Sequence, residues 1–198
     1  MVNKIPQELD NPIDNFINNI VDTQLDLYKN VGLTPNGLTT ISLLLGLSTS
    51  YFAYNNKYII ASATWLLSYY FDCADGKMAR KFKMTSKFGD LYDHSSDILK
   101  HFILFYVLYN KLDKETKKIK YLIISLVIII GLLTAAQVGC QEKMTRQITN
   151  KETESPTLKI AEYLVITDCD KQIKFTRFFG PATIIMYVII VMIFLGRK

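Results

Sequence analysis

Charge is absent from long stretches of this chain: residues 30–56, 58–71, 121–141 and 178–196 contain no Asp, Glu, Lys or Arg. A helix needs only about 17–25 apolar residues to cross a bilayer. The pattern therefore predicts spans over about 37–55, 58–80, 89–110, 120–140 and 178–196. Residues 141–157 are polar, and 158–166 are apolar apart from Lys159 and Glu162, so 156–170 read either as a surface helix or as a short, atypical sixth span. Ahead of these, residues 12–29 set Ile13, Phe16, Ile17, Ile20, Leu25 and Leu27 among acids and amides, the signature of an amphipathic helix lying on a membrane surface. Pro35 disfavours helix at Thr34, and the Thr-Pro-Asn-Gly cluster predicts a turn at the membrane boundary. The expected fold is all-α, a polytopic bundle of five clear transmembrane helices and a sixth candidate. It divides into a surface helix and turn at 1–36 and a transmembrane domain at 37–198.

Composition refines this picture only in part. The mean hydropathy of +0.16 looks mild because apolar and polar residues are segregated along the chain. The formal charge of +5 comes from Lys and Arg concentrated beside apolar segments, where they set topology and meet anionic lipid. No basic-aromatic groove or zinc-finger spacing accompanies them, which argues against nucleic acid as a partner. With an inner N-terminus and five spans, the inner segments hold 14 basic residues and the outer ones 8. That bias places the loop near residue 80 on the cytosolic side. No short apolar core follows a basic start, so no cleavable signal peptide is expected. Cys73, Cys140 and Cys169 form no CxxC pair and read as free thiols.

The candidate chemistry lies between residues 72 and 97. DCADGKMARKFKMTSKFGDLYDHSSD fits D-x2-D-G-x2-A-R-x8-G-x3-D-x3-D and joins two apolar segments. Ionised carboxylates are costly there and mark function by default. Asp72 and Asp75 are three apart at the end of the second span, and Asp93 and Asp97 are four apart at the start of the third, so each pair shares a helix face. The two helices are joined by a short loop, and their aspartates can meet at one depth. Four carboxylates balance two divalent cations, and all-oxygen ligation suits Mg²⁺ or Mn²⁺. Such a pair clamps both oxygens of an in-line phosphoryl displacement. Gly76 and Ala79 are small enough for a ligand to approach the backbone, and Arg80 suits a phosphate. The bland reading of the same residues is two helices sealed by Asp–Lys and Asp–Arg pairs without metal.

This motif resembles the signature of the CDP-alcohol phosphotransferases, which include phosphatidylinositol, phosphatidylglycerophosphate and phosphatidylserine synthases and the choline/ethanolamine phosphotransferases. Asp72, Asp75, Gly76, Ala79, Arg80, Gly89, Asp93 and Asp97 match its eight fixed positions. The likeness extends over roughly residues 12–110, including the Thr34-Pro35-Asn36 turn. It implies a six-span, dimeric fold with a polar cavity open to the cytosol. It further implies that Asp72, Asp75 and Asp93 ligate the metals, while Asp97 is the general base and also touches a metal. Asp72, Gly76, Ala79 and Arg80 would meet the CDP moiety, with Thr34 and Asn36 bordering the nucleotide.

The implied activity is transfer of a substituted phosphate from a CDP-alcohol to an acceptor hydroxyl, releasing CMP, in phospholipid synthesis. The wording DGKMAR and DHSSD looks most like enzymes using CDP-choline or CDP-ethanolamine, whereas the length resembles those using CDP-diacylglycerol. The host membrane would be the endoplasmic reticulum or similar in a eukaryotic or viral source and the plasma membrane in a bacterial one. The competing reading is a cation-binding membrane protein or small transporter without chemistry. It leaves Gly76, Ala79, Arg80 and Gly89 at fixed offsets without purpose.

Around the motif, Lys100 either recognises a phosphate or pairs with Asp97, and His101 has the same alternatives with less claim to substrate. His94 reads as structural. Lys77, Lys81, Lys83 and Lys87 read as a solvated basic loop, from which Lys77 could meet a phosphate. Arg177 either binds a lipid phosphate or anchors the last span.

Overall fold

The computed structural model describes residues 5–112, 117–149 and 168–197, and among them all regular structure is helical. The α-helices are α1 (Pro12–Asn30), α2 (Pro35–Tyr54), α3 (Tyr58–Lys81), α4 (Lys87–Lys111), α5 (Lys117–Thr149), α6 (Cys169–Thr176) and α7 (Pro181–Gly196). Each of the first two starts on a side-chain cap followed by proline. Asn11 accepts from the backbone N–H groups of Ile13 and Asp14, and Thr34 accepts from that of Gly37. The turn expected around Pro35 is therefore a helix start, two residues earlier than the hydropathy pattern placed it.

The helix α1 carries two apolar stripes. Ile17, Val21 and Leu25 are buried, and α1 packs against α3. Ile13, Phe16, Ile20 and Leu27 stay exposed on an adjacent face. A surface helix seated between protein and lipid needs both stripes.

At the centre is α2, packed against both α3 and α4. Its buried positions are mostly small and polar: Thr39, Ser42, Gly46, Thr49, Ser50 and Ala53. Small residues let helix backbones approach closely, and their hydroxyls join helices where water is scarce. Ser42 Oγ donates to the Ser68 carbonyl at 2.9 Å and Ser68 Oγ donates to the Ser42 carbonyl at 2.8 Å, a reciprocal link between α2 and α3. Further along, the Thr49 and Thr64 hydroxyls meet at 2.9 Å. On α4, Ser96, Lys100, Leu104 and Leu108 are buried at four-residue spacing, one stripe of the helix. The opposite side of the bundle is closed by α7, which packs on α3 and α5.

Among the described residues, two segments are long and apolar enough to cross a membrane, Lys117–Thr145 and Lys171–Gly196. The expected spans at 37–55, 58–80 and 89–110 coincide with α2, α3 and α4, which have 20, 24 and 25 residues. At 1.5 Å per residue each is about 30 Å or longer, the thickness of a hydrocarbon core. Their hydropathy is lower because α2 is threaded with Ser and Thr, and α3 and α4 carry the charged motif. The fourth expected span is outrun by its helix: α5 continues past 140 to Thr149. Polar residues such as Gln141, Glu142 and Lys143 end an apolar run but are good helix formers. Residues 156–167, the larger part of the sixth-span candidate, lie outside the described residues.

Candidate active site

The connection between α3 and α4 is five residues, 82–86. The chain leaves α3 with Lys83 in the left-handed region, φ 55°, and Met84 N–H bonded back to the Ala79 carbonyl at 2.8 Å. Ser86 then caps α4 by accepting from Gly89 N–H at 2.9 Å. This tight reversal sets Asp72 opposite Asp93 and Asp97. One oxygen from each of these three carboxylates lies within 4.8 Å of the others. Three of the four motif aspartates thus form one cluster.

The fourth, Asp75, is buried one turn along α3, where its Oδ2 accepts from Thr39 Oγ1 at 2.6 Å. Thr39 had no place in the sequence reading, since no spacing rule links a residue of α2 to one on α3.

Lys100 closes the far side of the cluster. Its ammonium lies 2.7 Å from Asp72 Oδ1 and 2.7 Å from Asp97 Oδ1, and donates to Ser42 Oγ at 2.8 Å. The Asp72 and Ser42 contacts are aligned hydrogen bonds. The Asp97 contact is a close ion pair off the hydrogen-bond direction, which leaves the buried Oδ1 without an aligned donor. A buried carboxylate oxygen in that condition, beside two more carboxylates, is what a divalent cation would complete. The donor set is all oxygen, and it fits Mg²⁺ or Mn²⁺.

Gly46 makes the Lys100 position feasible: a Cβ there would fall 2.9 Å from Lys100 Cβ and 3.0 Å from its Cδ. Neither Gly46 nor Ser42 stood out in the sequence. The only available signal was the small-residue stripe of α2, which reads equally as ordinary helix packing.

The other motif positions line the same end of the bundle. Arg80 folds back over Gly76, its Nη1 3.1 Å from where a Cβ would be. Asn36, in the first turn of α2, lies against Gly89 with its Oδ1 3.1 Å from a Cβ there. Thr34 is exposed at the α2 cap and Ala79 is partly buried one turn beyond Asp75. The structure therefore brings Asn36 to the start of α4.

Below the carboxylates is a cavity of about 180 Å³, lined in part by Trp65, Tyr69, Asp72, Asp97, Lys100 and His101. His101 meets the Trp65 ring edge-on with centroids 4.9 Å apart, and its Nδ1 is 2.8 Å from the Asp97 carbonyl. It serves to fix α4 against α3.

The remaining charged candidates lie away from the cluster. Lys77 is not part of a solvated loop. It is buried within α3 and paired with Asp22 of α1 at 2.6 Å, because α1 covers that face of the helix. Lys81 likewise pairs with Asp26 at 2.9 Å, while Lys83 and Lys87 are exposed as expected. Arg177, in a 3-10 turn before α7, donates to the Glu8 carbonyl and ties the N-terminal segment to the bundle. His94 hydrogen-bonds within its own helix, at 2.7 Å from the Asp90 carbonyl.

Comparison with known proteins agrees with this geometry. Over 69 residues, 35% of this chain, the sequence is 38% identical to an archaetidylinositol phosphate synthase from Pyrococcus horikoshii. That stretch covers 37% of the relative's length. The profile of one family, described as CDP-alcohol phosphatidyltransferase, matches residues 32–197, which takes in α2 to α7, the aspartate cluster and the turn at Asn36. With most of its length and its whole acidic motif accounted for in this way, the chain belongs to the CDP-alcohol phosphatidyltransferase family.

Proposed function

We propose that the protein is a multi-pass membrane enzyme that transfers a substituted phosphate from a CDP-alcohol to an acceptor hydroxyl and releases CMP. The observation that carries this reading is the cluster of Asp72, Asp93 and Asp97 within 4.8 Å, with Arg80 and Gly76 on the next turns of α3. The similarity to an archaetidylinositol phosphate synthase favours phospholipid synthesis as its setting. The length of α2, α3 and α4 supports five spans beneath a surface-bound α1, and the basic-residue bias supports a cytosolic site.

In this reading Asp72, Asp93 and Asp97 hold divalent cation, Mg²⁺ or Mn²⁺, with Asp75 beside them. Bound metal would offset negative charge on the pyrophosphate and on the leaving phosphate. Arg80 binds a phosphate oxygen, and Gly76 and Ala79 leave room for the CDP moiety against α3. Asn36 and Thr34 border the nucleotide. Asp97 takes the proton of the acceptor hydroxyl. The acceptor oxygen then bonds to the phosphorus nearest the alcohol group, the bond from that phosphorus to the bridging oxygen breaks, and CMP departs with the bond's electron pair. Lys100 holds Asp72 and Asp97 in place. The partners are a CDP-alcohol, an alcohol acceptor and membrane lipid, and the active form is a homodimer.

The experiment is direct. Purified protein in detergent or nanodiscs is offered CDP-diacylglycerol, CDP-choline or CDP-ethanolamine in turn, with acceptors varied for each, and CMP release is measured. Release from one donor only in the presence of a matching acceptor is expected. No CMP from any pair would overturn the reading and leave cation binding without chemistry.

A further inference from the structure

The cavity below the carboxylates has Asp97 on its wall, faced by Tyr69 of α3 and by Pro181 and Ile185 of α7. Gly76, Ala79 and Arg80, the CDP side of the motif, are not among the described residues that line it. Its width is set by how far the first turn of α7 stands from α3. That distance is held by a third helix. The N-terminus of α7 opens on Gly180 and has no side-chain cap of its own. The cap comes from α1: Asp14 Oδ1 accepts from Ala182 N–H at 3.1 Å, and the same oxygen accepts from the Tyr69 hydroxyl. One carboxylate oxygen thus joins the two walls. Asn11 adds a second bond, its Nδ2 donating to Thr183 Oγ1 at 3.0 Å, and Gly180 makes room, since a Cβ there would fall 2.6 Å from Asp14 Oδ2. Asp14 is 4% exposed, and its Oδ2 is buried with no hydrogen-bond partner. A carboxyl group buried with one idle oxygen is costly. Mere attachment of α1 is already provided by the Lys77–Asp22 and Lys81–Asp26 pairs.

We infer that Asp14 is a positioning residue for the acceptor alcohol: by bridging Tyr69 and Ala182 it fixes the width of the cavity through which the acceptor hydroxyl reaches Asp97. The inference rests on the transferase reading above and adds the surface helix to its machinery. The acceptor takes the side of Asp97 that faces α7, and the CDP moiety keeps the side of Arg80. Without the bridge, the first turn of α7 loses its cap and its hold on Tyr69. The acceptor is then held less well, while the donor site is left as it was. Asp14 itself touches neither substrate.

Two measurements on the full-length protein test this, one with turnover and one without. In CMP-release assays, Asp14→Leu removes the accepting oxygen at similar size and should raise KM for the acceptor several-fold, with KM for the CDP-alcohol unchanged. Asp14→Asn keeps an Oδ1 for both donors and should restore the wild-type value. Tyr69→Phe cuts the α3 half of the bridge and should resemble Asp14→Leu, serving where that variant does not fold. Asp22→Asn loosens α1 away from the cavity and should leave the acceptor KM alone. A wild-type acceptor KM in the folded bridge variants would overturn the inference. So would an equal rise in both KM values, or the same shift in Asp22→Asn. Hydrogen exchange at residues 182–184 reads the bridge without substrate: it should be faster in Asp14→Leu and unchanged in Asp14→Asn. Wild-type exchange in Asp14→Leu would overturn the inference whatever the kinetics. No CMP from the wild type with any substrate pair would overturn the transferase reading and the acceptor role with it, a failure told apart by exchange rates that still follow the bridge.

Discussion

Lys77 and Asp22 form a 2.6 Å ion pair between α3 and α1, with the lysine side chain 2% exposed and the aspartate 40% exposed. Lys77 follows Gly76 of the acidic motif, yet its ammonium turns away from the carboxylate cluster to donate to Asp22 and to the Asn18 carbonyl at 3.1 Å. The pair clamps the surface helix onto the helix that carries half of the candidate active site. Asp22→Asn leaves a buried ammonium with weaker acceptors and should cost about 1–2 kcal/mol, the partly exposed carboxylate softening the loss. Thermal unfolding of the purified variant measures this. An unchanged midpoint would show that the clamp adds nothing to stability.

CMP release should require Mg²⁺ or Mn²⁺ and cease in excess EDTA, because Asp97 Oδ1 is buried without an aligned donor next to two further carboxylates. Restoration by either ion completes the experiment. Full turnover in EDTA would separate the acidic cluster from metal.

Asp97→Asn should reduce turnover by about 10²–10⁴-fold, the usual contribution of a general base, while CDP-alcohol still binds. Asp72→Asn should weaken both Mn²⁺ and nucleotide binding. Comparing CMP release with nucleotide affinity in the two variants separates the roles. Near wild-type turnover in Asp97→Asn would transfer the base role to water or to another carboxylate.

Gly76→Ala puts a methyl group 3.1 Å from Arg80 Nη1, so the guanidinium must shift. Because Arg80 is proposed to bind phosphate, the expected result is a several-fold rise in KM for the CDP-alcohol with a smaller change in kcat. A kcat loss at constant KM would mean that Arg80 acts only in the transition state.

Asp14 sets a pH dependence of stability. This carboxylate of α1 is buried where the Tyr69 hydroxyl and the Ala182 N–H both donate to its Oδ1. Burial pushes it up from 3.8 to about 7, with Asp10 adding to the rise and the two donors opposing it. A carboxyl with a higher pKa in the folded state holds its proton more tightly there. Its contribution to stability is therefore greatest below about pH 4 and declines as pH rises to about 7. Asp14→Asn should remove that slope, seen as a shrinking difference between wild-type and variant melting curves as the pH is lowered from 7.5 to 4.5. Parallel curves would show that Asp14 is already ionised in the folded protein.

How far the sequence could be read depended on whether an interaction lay within one helix or between two. Spacing of three and four along a helix was enough to bring Asp72 near Asp75 and Asp93 near Asp97, and a short loop to set one pair facing the other. The two stripes of α1 were half visible: its apolar residues were evident, but not which of them would meet protein and which would stay exposed. The roles of Thr39, Ser42 and Gly46 are set by what faces them across a helix contact, and nothing in the spacing of α2 specifies its neighbours. Lys77 was misread for the same reason, because a charged residue beside a loop looks solvated until another helix covers it. The end of α5 was missed because hydropathy marks where a membrane would stop, whereas backbone hydrogen bonding continues through Glu142 and Lys143.

The short link joining α1 to α7 bears on the order in which this chain can reach its final form. The Ala182 N–H donates to Asp14 Oδ1 at 3.1 Å and Asn11 Nδ2 donates to Thr183 Oγ1 at 3.0 Å, contacts between residues 168 and 172 positions apart. A growing chain makes α1, α3 and α4 long before it makes α7, so the leading end of α1 has only Tyr69 of α3 to hold Asp14 until α5 and then residues 182 and 183 are made. Contacts so distant in sequence form late, since the loop between them must be closed first. Newly made protein would thus pass through an interval in which α1 is held by α3 alone, through Lys77–Asp22, Lys81–Asp26 and Tyr69–Asp14, before α7 completes its seat.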